Sequence, residues 1–268
     1  MQFLNRFGAV AVGVIVAFLI GAAILHIIPR LGQAGRRISD ALCRAPMLDW
    51  LITYFTVAPL FVGPILAGWA GFFGAIVGQV GGVLIWTLIT ELANRNSPRP
   101  RIVTVLNQLI GPWRNHLAVW LTAIVTPMFW IVRMAEVFVY PPIAMLTGFP
   151  RYKSSDWVRV SRHKFRGLVG HDLIWCLYCD WMTGVWSLGT EMLRNVESFW
   201  CPIRFDNEKK CENCSVDFPD VNHGWVPADA NITDAARVLQ EQHGNSTHAW
   251  FGHPVRLTVK GSETAAAK

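Results

Sequence analysis

From Trp50 to Leu92 the chain runs for 43 residues with one charge, Glu91, close to the end of the run. Drawn as a single helix at 1.5 Å per residue, that stretch would reach about 65 Å, roughly twice the depth of a bilayer core. Two membrane spans joined by a turn near Gly68-Trp69-Ala70-Gly71 are therefore expected. In the second of them Ala70, Gly74, Gly78 and Gly82 recur every four residues and share one helix face. A stripe of small residues lets another helix backbone come close, and close packing is what holds helices together in lipid. Those four positions are the expected membrane packing face.

Residues 8–28 are apolar for 21 positions apart from His26, enough for one further span. Only Arg6 precedes it, whereas Arg30, Arg36, Arg37 and Arg44 follow. That is not the charge pattern of a cleaved signal peptide. Residues 1–150 contain ten Arg, no Lys and four acids, so the whole net charge of +6 sits there. The arginines flank apolar segments, as at the cytoplasmic edge of a membrane. A nucleic-acid binder would carry its basic residues on a polar folded surface, so nucleic acid is not an expected partner. A hairpin at 50–92 puts the basic loops 29–49 and 93–115 on the same side, with the N-terminus outside.

Residues 116–148 are expected to be re-entrant or interfacial. The apolar run 117–132 is short and interrupted by Pro127, and Arg133, Glu136 and Pro141-Pro142 follow. The next stretch, with Arg151, Lys153, Arg159, Arg162, Lys164 and Arg166, is basic again; if cytoplasmic, it requires the intervening segment to enter and return. Arg133 and Glu136, three apart on a helix, can pair. An ionisable pair at membrane depth is a functional candidate.

Beyond residue 165 the composition becomes balanced. Apolar residues at a period near 3.6 predict a helix over 165–200, ended by Pro202. Its apolar side is rich in Trp and suited to a membrane surface or a partner. The other side carries Asp172, Cys176, Cys179, Asp180, Glu191 and Arg194. Short strands are expected at 203–205, 215–218 and 255–259, and a helix at 232–243 with Thr233 or Asp234 near its cap. Residues 261–268 are set aside as a disordered tail or an expression remnant.

Five cysteines lie between residues 176 and 214. Two CxxC pairs suit a tetrahedral thiolate site, for which zinc is the expected metal and iron the alternative. One ligand set is Cys176, Cys179, Cys211 and Cys214. The other draws on Cys201 and His223 with Cys211 and Cys214. A continuous helix from 176 to 200 favours the second, because it would carry Cys201 about 37 Å from Cys176. Neither CxxC is followed by His, so c-type haem attachment is not indicated. His243, His248 and His253 read as a surface loop.

The expected fold is a mainly α-helical membrane protein. About three transmembrane helices and a re-entrant or interfacial segment make up residues 1–150. A small metal-stabilised α+β domain follows at 151–260, on the cytoplasmic side. No nucleophile elbow or phosphate-cradling loop occurs. The expected function is accordingly a non-catalytic membrane subunit. It would pack against other membrane helices and dock its tail on a larger assembly, an energy-converting complex being one candidate. The alternatives are a membrane-anchored electron-transfer protein with a one-iron centre, and a small transporter or channel subunit.

Overall fold

The computed structural model describes residues 1–97, 99–217, 221 and 224–243. Among the described residues there are helices and two isolated β-bridges but no strand. In order they are α1 (Gln2–Ile27), α2 (Gly32–Leu42), α3 (Met47–Ile52), α4 (Ala58–Ala93), α5 (Ile102–Ile110) and α6 (Pro112–Ala123). Then come α7 (Thr126–Met134), α8 (Tyr140–Thr147), α9 (Ser154–Trp157), α10 (Gly170–Trp200), α11 (Glu208–Asp217) and α12 (Ile232–His243). Among the described residues three stretches are long and apolar enough to cross a membrane: Gln2–Arg30, Met47–Ala93 and Pro112–Thr147. This is the make-up of a mainly helical integral membrane protein. The chain folds as two compact units, Met1–Trp130 with Val158–Gly184 and Ile131–Trp157 with Val185–Lys268.

In the first unit, the stretch Met47–Ala93 doubles back at Ala67-Gly68. Gly68 has φ +57° and ψ −140°, a conformation open essentially to glycine alone. On either side of the turn Gly63 and Gly71 stand backbone to backbone. Farther along, the Gln79 amide donates to the carbonyls of Phe55 and Thr56 at 3.0 and 2.5 Å. Proline lacks an N–H, so Pro59 leaves the Phe55 carbonyl without its usual helical donor. A π-helical turn, Thr53–Val57, opens the backbone there, and Gln79 supplies the missing donor from the second arm. An uncompensated carbonyl at this depth would cost several kcal/mol, on the order given for apolar media.

Helix α1 packs on both arms. Ala70, Gly74, Gly78 and Gly82 are all buried. A Cβ on Gly74 would meet the Phe7 carbonyl, one on Gly78 the Ala11 carbonyl, and one on Gly82 the Phe18 ring. Contacts rise together along both helices, so α1 and the second arm are parallel. The first arm is antiparallel to α1: the Tyr54 hydroxyl donates to the Ala17 carbonyl at 2.6 Å, and Phe55 meets Phe18 edge-on at 5.0 Å. The segments after α1, before the first arm and after the second therefore emerge at one end of the bundle.

Residues 158–172 join that end. Ala45 N–H donates to the Val158 carbonyl and Val160 N–H to the Cys43 carbonyl, both at 2.9 Å. Arg101 is buried, pairs with Glu91 at 3.0 Å, and donates to the carbonyls of Asn94 and Gly167. The Asp172 carboxylate accepts from the N–H groups of Ile102 and Val103 at 2.7 and 2.9 Å, satisfying the free donors that open α5.

The second unit contains the end of α7, a π-helical turn (Ala135–Val139), α8, α9, the C-terminal half of α10, α11 and α12. Its tail differs from the expected α+β domain. Residues 215–217 belong to α11 rather than a strand, because Asn207 caps the helix by accepting from Lys210 N–H at 2.9 Å. Phe218 lies outside the described residues. Ile203 makes only an isolated bridge with Val226. Helix α12 lies where the sequence placed it, but its cap is Asn231, whose side chain accepts from Thr233 N–H while Asp234 accepts from Asn231 N–H. The expected strand at 255–259, His248, His253 and the tail 261–268 lie outside the described residues.

Two predictions follow from the first unit's packing. A side chain on Gly78 would sit 2.7 Å from both the Ala11 carbonyl and Val14. Gly78→Leu is expected to lower stability in detergent by about 1–3 kcal/mol, the usual cost of overpacking. Gly13→Leu, where nothing lies within 4 Å, should be close to neutral. Thermal unfolding of both variants reads this difference.

The second concerns Asp172. Burial alone would raise its pKa, but hydrogen bonds from His171, Val103 and Ile102 hold it below the ordinary value. Such a carboxylate stabilises the fold fully above its unfolded pKa of about 3.9. That contribution is lost as pH falls through the lower folded value. Asp172→Asn should therefore cost about 1 kcal/mol at neutral pH, in line with other helix caps. The gap between the two proteins should close only in the acid range, below about pH 4.

Candidate functional site

Two ion pairs lie buried in the second unit. Arg133, in the last turn of α7, meets Glu136 of the π-helical turn at 2.7 Å, with the side chains 2 % and 3 % exposed. On α10, Arg194 meets Glu191 at 3.0 Å, both fully buried. In each pair the partners are three residues apart and so share a helix face. A side chain on Gly189 would meet the Glu136 carboxylate at 3.2 Å and Val132 at 3.3 Å. Glycine at 189 thus lets α10 lie directly against the helix that carries the first pair.

Polar side chains extend the second pair. The Tyr152 hydroxyl donates to Glu191 at 3.4 Å, and the Asn195 amide donates to Tyr152 at 2.6 Å and to the Glu191 carbonyl at 3.1 Å. The Tyr140 hydroxyl donates to the Pro150 carbonyl at 3.1 Å, and its ring lies 5.9 Å from that of Tyr152. Ser198 is buried with them. Burial pushes the Tyr152 phenol well above its ordinary pKa, and Tyr140 and Glu191 add to the shift. Tyr152 therefore stays protonated and acts as a donor. Chemically, the cluster holds carboxylates, guanidiniums and phenols away from water in mutual contact.

In the second half of α10 the Trp-bearing side faces outward. Glu191, Arg194, Asn195 and Ser198 face inward with Val185, Leu188 and Met192, whereas Trp186, Leu193 and Trp200 are 62 %, 56 % and 54 % exposed. The exposed three recur every seven residues and form one ridge. Arg133 and Glu136 were found from sequence; Glu191, Arg194, Tyr152, Tyr140 and Asn195 were not. The signal available was the repeated spacing of an acid and an arginine three apart.

The cysteines fall in separate places. Cys176 and Cys179 are on the part of α10 that belongs to the first unit, and α10 is one helix from Gly170 to Trp200. Arg162 lies 3.7 Å from Asp180, the residue next to Cys179 on α10. Asp180 in turn accepts from the N–H groups of Ser161 and Arg162, fixing that turn on α10. Burial raises the Cys176 thiol, with the Arg162 charge opposing. A guanidinium held at the neighbouring Asp180 repels a dication, so these two thiols suit a metal poorly. Cys201 is exposed. Cys211 and Cys214 stand one turn apart on α11, and their side chains lie outside the described residues, as does His223. Among the described residues no three His, Cys, Asp or Glu side chains converge as metal ligands. The packing stripe Ala70, Gly74, Gly78 and Gly82 is taken up by α1 of the same chain.

No family model, no curated protein and no solved structure matches the chain.

Breaking one partner of a buried pair leaves a charge uncompensated. Glu191→Leu or Arg194→Leu alone is expected to destabilise by about 3–5 kcal/mol, and the double substitution by clearly less than the sum. Denaturant or thermal unfolding in detergent closes that cycle.

Proposed function

We propose that the protein is a non-catalytic integral membrane subunit that docks on a larger membrane assembly through the second half of α10. The carrying observation is that this helix buries Glu191 and Arg194 while turning Trp186, Leu193 and Trp200 outward. Buried charges with an exposed Trp/Leu ridge fit a helix whose outer surroundings are apolar, and Trp-rich ridges are favoured at interfaces. The glycine stripe is already occupied by α1, whereas this ridge is open to a partner.

In this reading the N-terminus is outside and the tail cytoplasmic. Support comes from the basic segments after α1, after α4 and around 158–166, which gather at one end of the first unit and fit the positive-inside rule. The unbroken α10 favours Cys201, Cys211, Cys214 and His223 as the ligands of a structural zinc in the tail. Such a metal would stabilise a segment with little apolar core.

Photo-cross-linkers placed at Trp186 or Leu193 in native membranes are expected to capture a second polypeptide, and those at Val12 on the exposed side of α1 are not. Isolation as a monomer with no co-purifying chain would count against the subunit reading. For the tail, elemental analysis should find about one zinc per chain, lost in Cys211→Ser. Visible absorbance would instead favour the one-iron electron-transfer alternative.

A second reading, a transporter or channel subunit, is favoured by the two buried ion pairs, since intramembrane ionisable groups commonly mark ion or proton paths. It expects Arg133→Ala to abolish transport in reconstituted vesicles and cysteine substitutions to leave it intact.

A further inference from the structure

We propose that Cys176 and Cys179 form a redox-responsive dithiol that exchanges stoichiometrically, without turnover, with a small anionic disulfide. The two residues lie three apart on α10, which by helix geometry separates their Cα atoms by about 5 Å. That is inside the range a disulfide bridges without backbone movement. Both are free thiols, Cys179 exposed and Cys176 half-buried. One sulfur is thus open to attack an incoming disulfide, and the second is held close behind it to resolve the adduct.

Arg162 supplies the electrostatics. Its guanidinium lies 3.7 Å from Asp180, the residue next to Cys179, and the backbone of its own turn is pinned by the same carboxylate. A cation fixed beside a sulfur favours the charged nucleophile and the charged sulfur that leaves. The same cation explains why the pair is a poor metal site. Exposed Arg159, Lys164 and Arg166 lie on the same short segment, so the approach is positively charged and draws an anionic partner.

The exchange balances without another reactant. The Cys179 thiol gives its proton to water and its sulfur attacks one sulfur of the substrate disulfide, whose S–S bond breaks; the first thiolate leaves and takes up a proton from water. Cys176 gives its proton to water and attacks the Cys179 sulfur, breaking the mixed disulfide, and the second thiolate leaves and is protonated in turn. Two electrons pass from the dithiol to the substrate, leaving a Cys176–Cys179 disulfide and two thiols.

The test uses the full-length protein in detergent, equilibrated across a series of reduced and oxidised glutathione ratios, then alkylated and analysed by mass. A two-electron transition confined to the 176–179 peptide is expected, and Cys176→Ser should trap a glutathione adduct on Cys179. Arg162→Gln should slow adduct formation roughly tenfold, the rate equivalent of about 1.4 kcal/mol of charge stabilisation. The slowing should be smaller with the neutral bis(2-hydroxyethyl) disulfide. Cys179 in the SDS-unfolded chain, where no cation is fixed beside it, is the control. Adduct formation on Cys179 no faster in the folded protein than in the unfolded chain, no internal disulfide at any ratio, or protection of the pair by a stoichiometric metal would each overturn the proposal.

Discussion

Close approach between helix backbones governs the first unit. In lipid, apolar side chains gain little by leaving the bilayer for one another, so helices associate where their surfaces fit. Glycine at 74, 78 and 82 brings the second arm against the Phe7 and Ala11 carbonyls and the Phe18 ring of α1. Glycine at 63 and 71 does the same across the hairpin. Once the three helices are fixed in this way, their connecting segments have to emerge together. The buried Arg101, Glu91 and Asp172 then tie α5 and the start of α10 to that end. Gln79 is the polar complement of this packing, because a helix can carry Pro59 at this depth only if another donor reaches the carbonyl that proline leaves bare.

The second unit solves the opposite problem. Four charged side chains are buried there, and each would be costly alone. Spacing of three residues pairs them within a helix, so the pairs form as soon as the helix does. Gly189 then allows α10 to lie against Glu136, and Tyr152 and Asn195 occupy the hydrogen-bonding positions around Glu191. The large apolar side chains displaced by this arrangement face outward. An aqueous exterior would make that ridge unfavourable, whereas lipid or a partner helix makes it the natural outer surface.

What could be read from the sequence was what depends on local spacing. The four-residue recurrence of small side chains, the glycine turn dividing an over-long apolar run, and the Arg133–Glu136 pair all depend on residues close in the chain. Periodicity in 165–200 located α10 and separated its stripes. It could not say which stripe faces in, because that depends on what packs against it. The tail failed for a related reason. Alternating residues at 215–218 suggested a strand, but Asn207 begins a helix eight residues earlier, and capping extends through the segment. The cation near Cys179 was hidden because Arg162 comes from a separate turn and meets Asp180, one residue along the helix.

That last contact separates two kinds of sulfur chemistry along one chain. A thiolate cluster needs a cation at its centre, and the field from Arg162 already fills that role at Cys179. The same field does not hinder a sulfur from attacking a disulfide, a reaction that develops negative charge on successive sulfurs and no lasting positive charge. Cys201, beyond the polar stripe and with Pro202 ending the helix, has no such cation among the contacts described for it. The unbroken α10 therefore does more than separate the cysteines in space: it leaves one pair in a guanidinium's field and the remaining thiols to a tail with little core of its own.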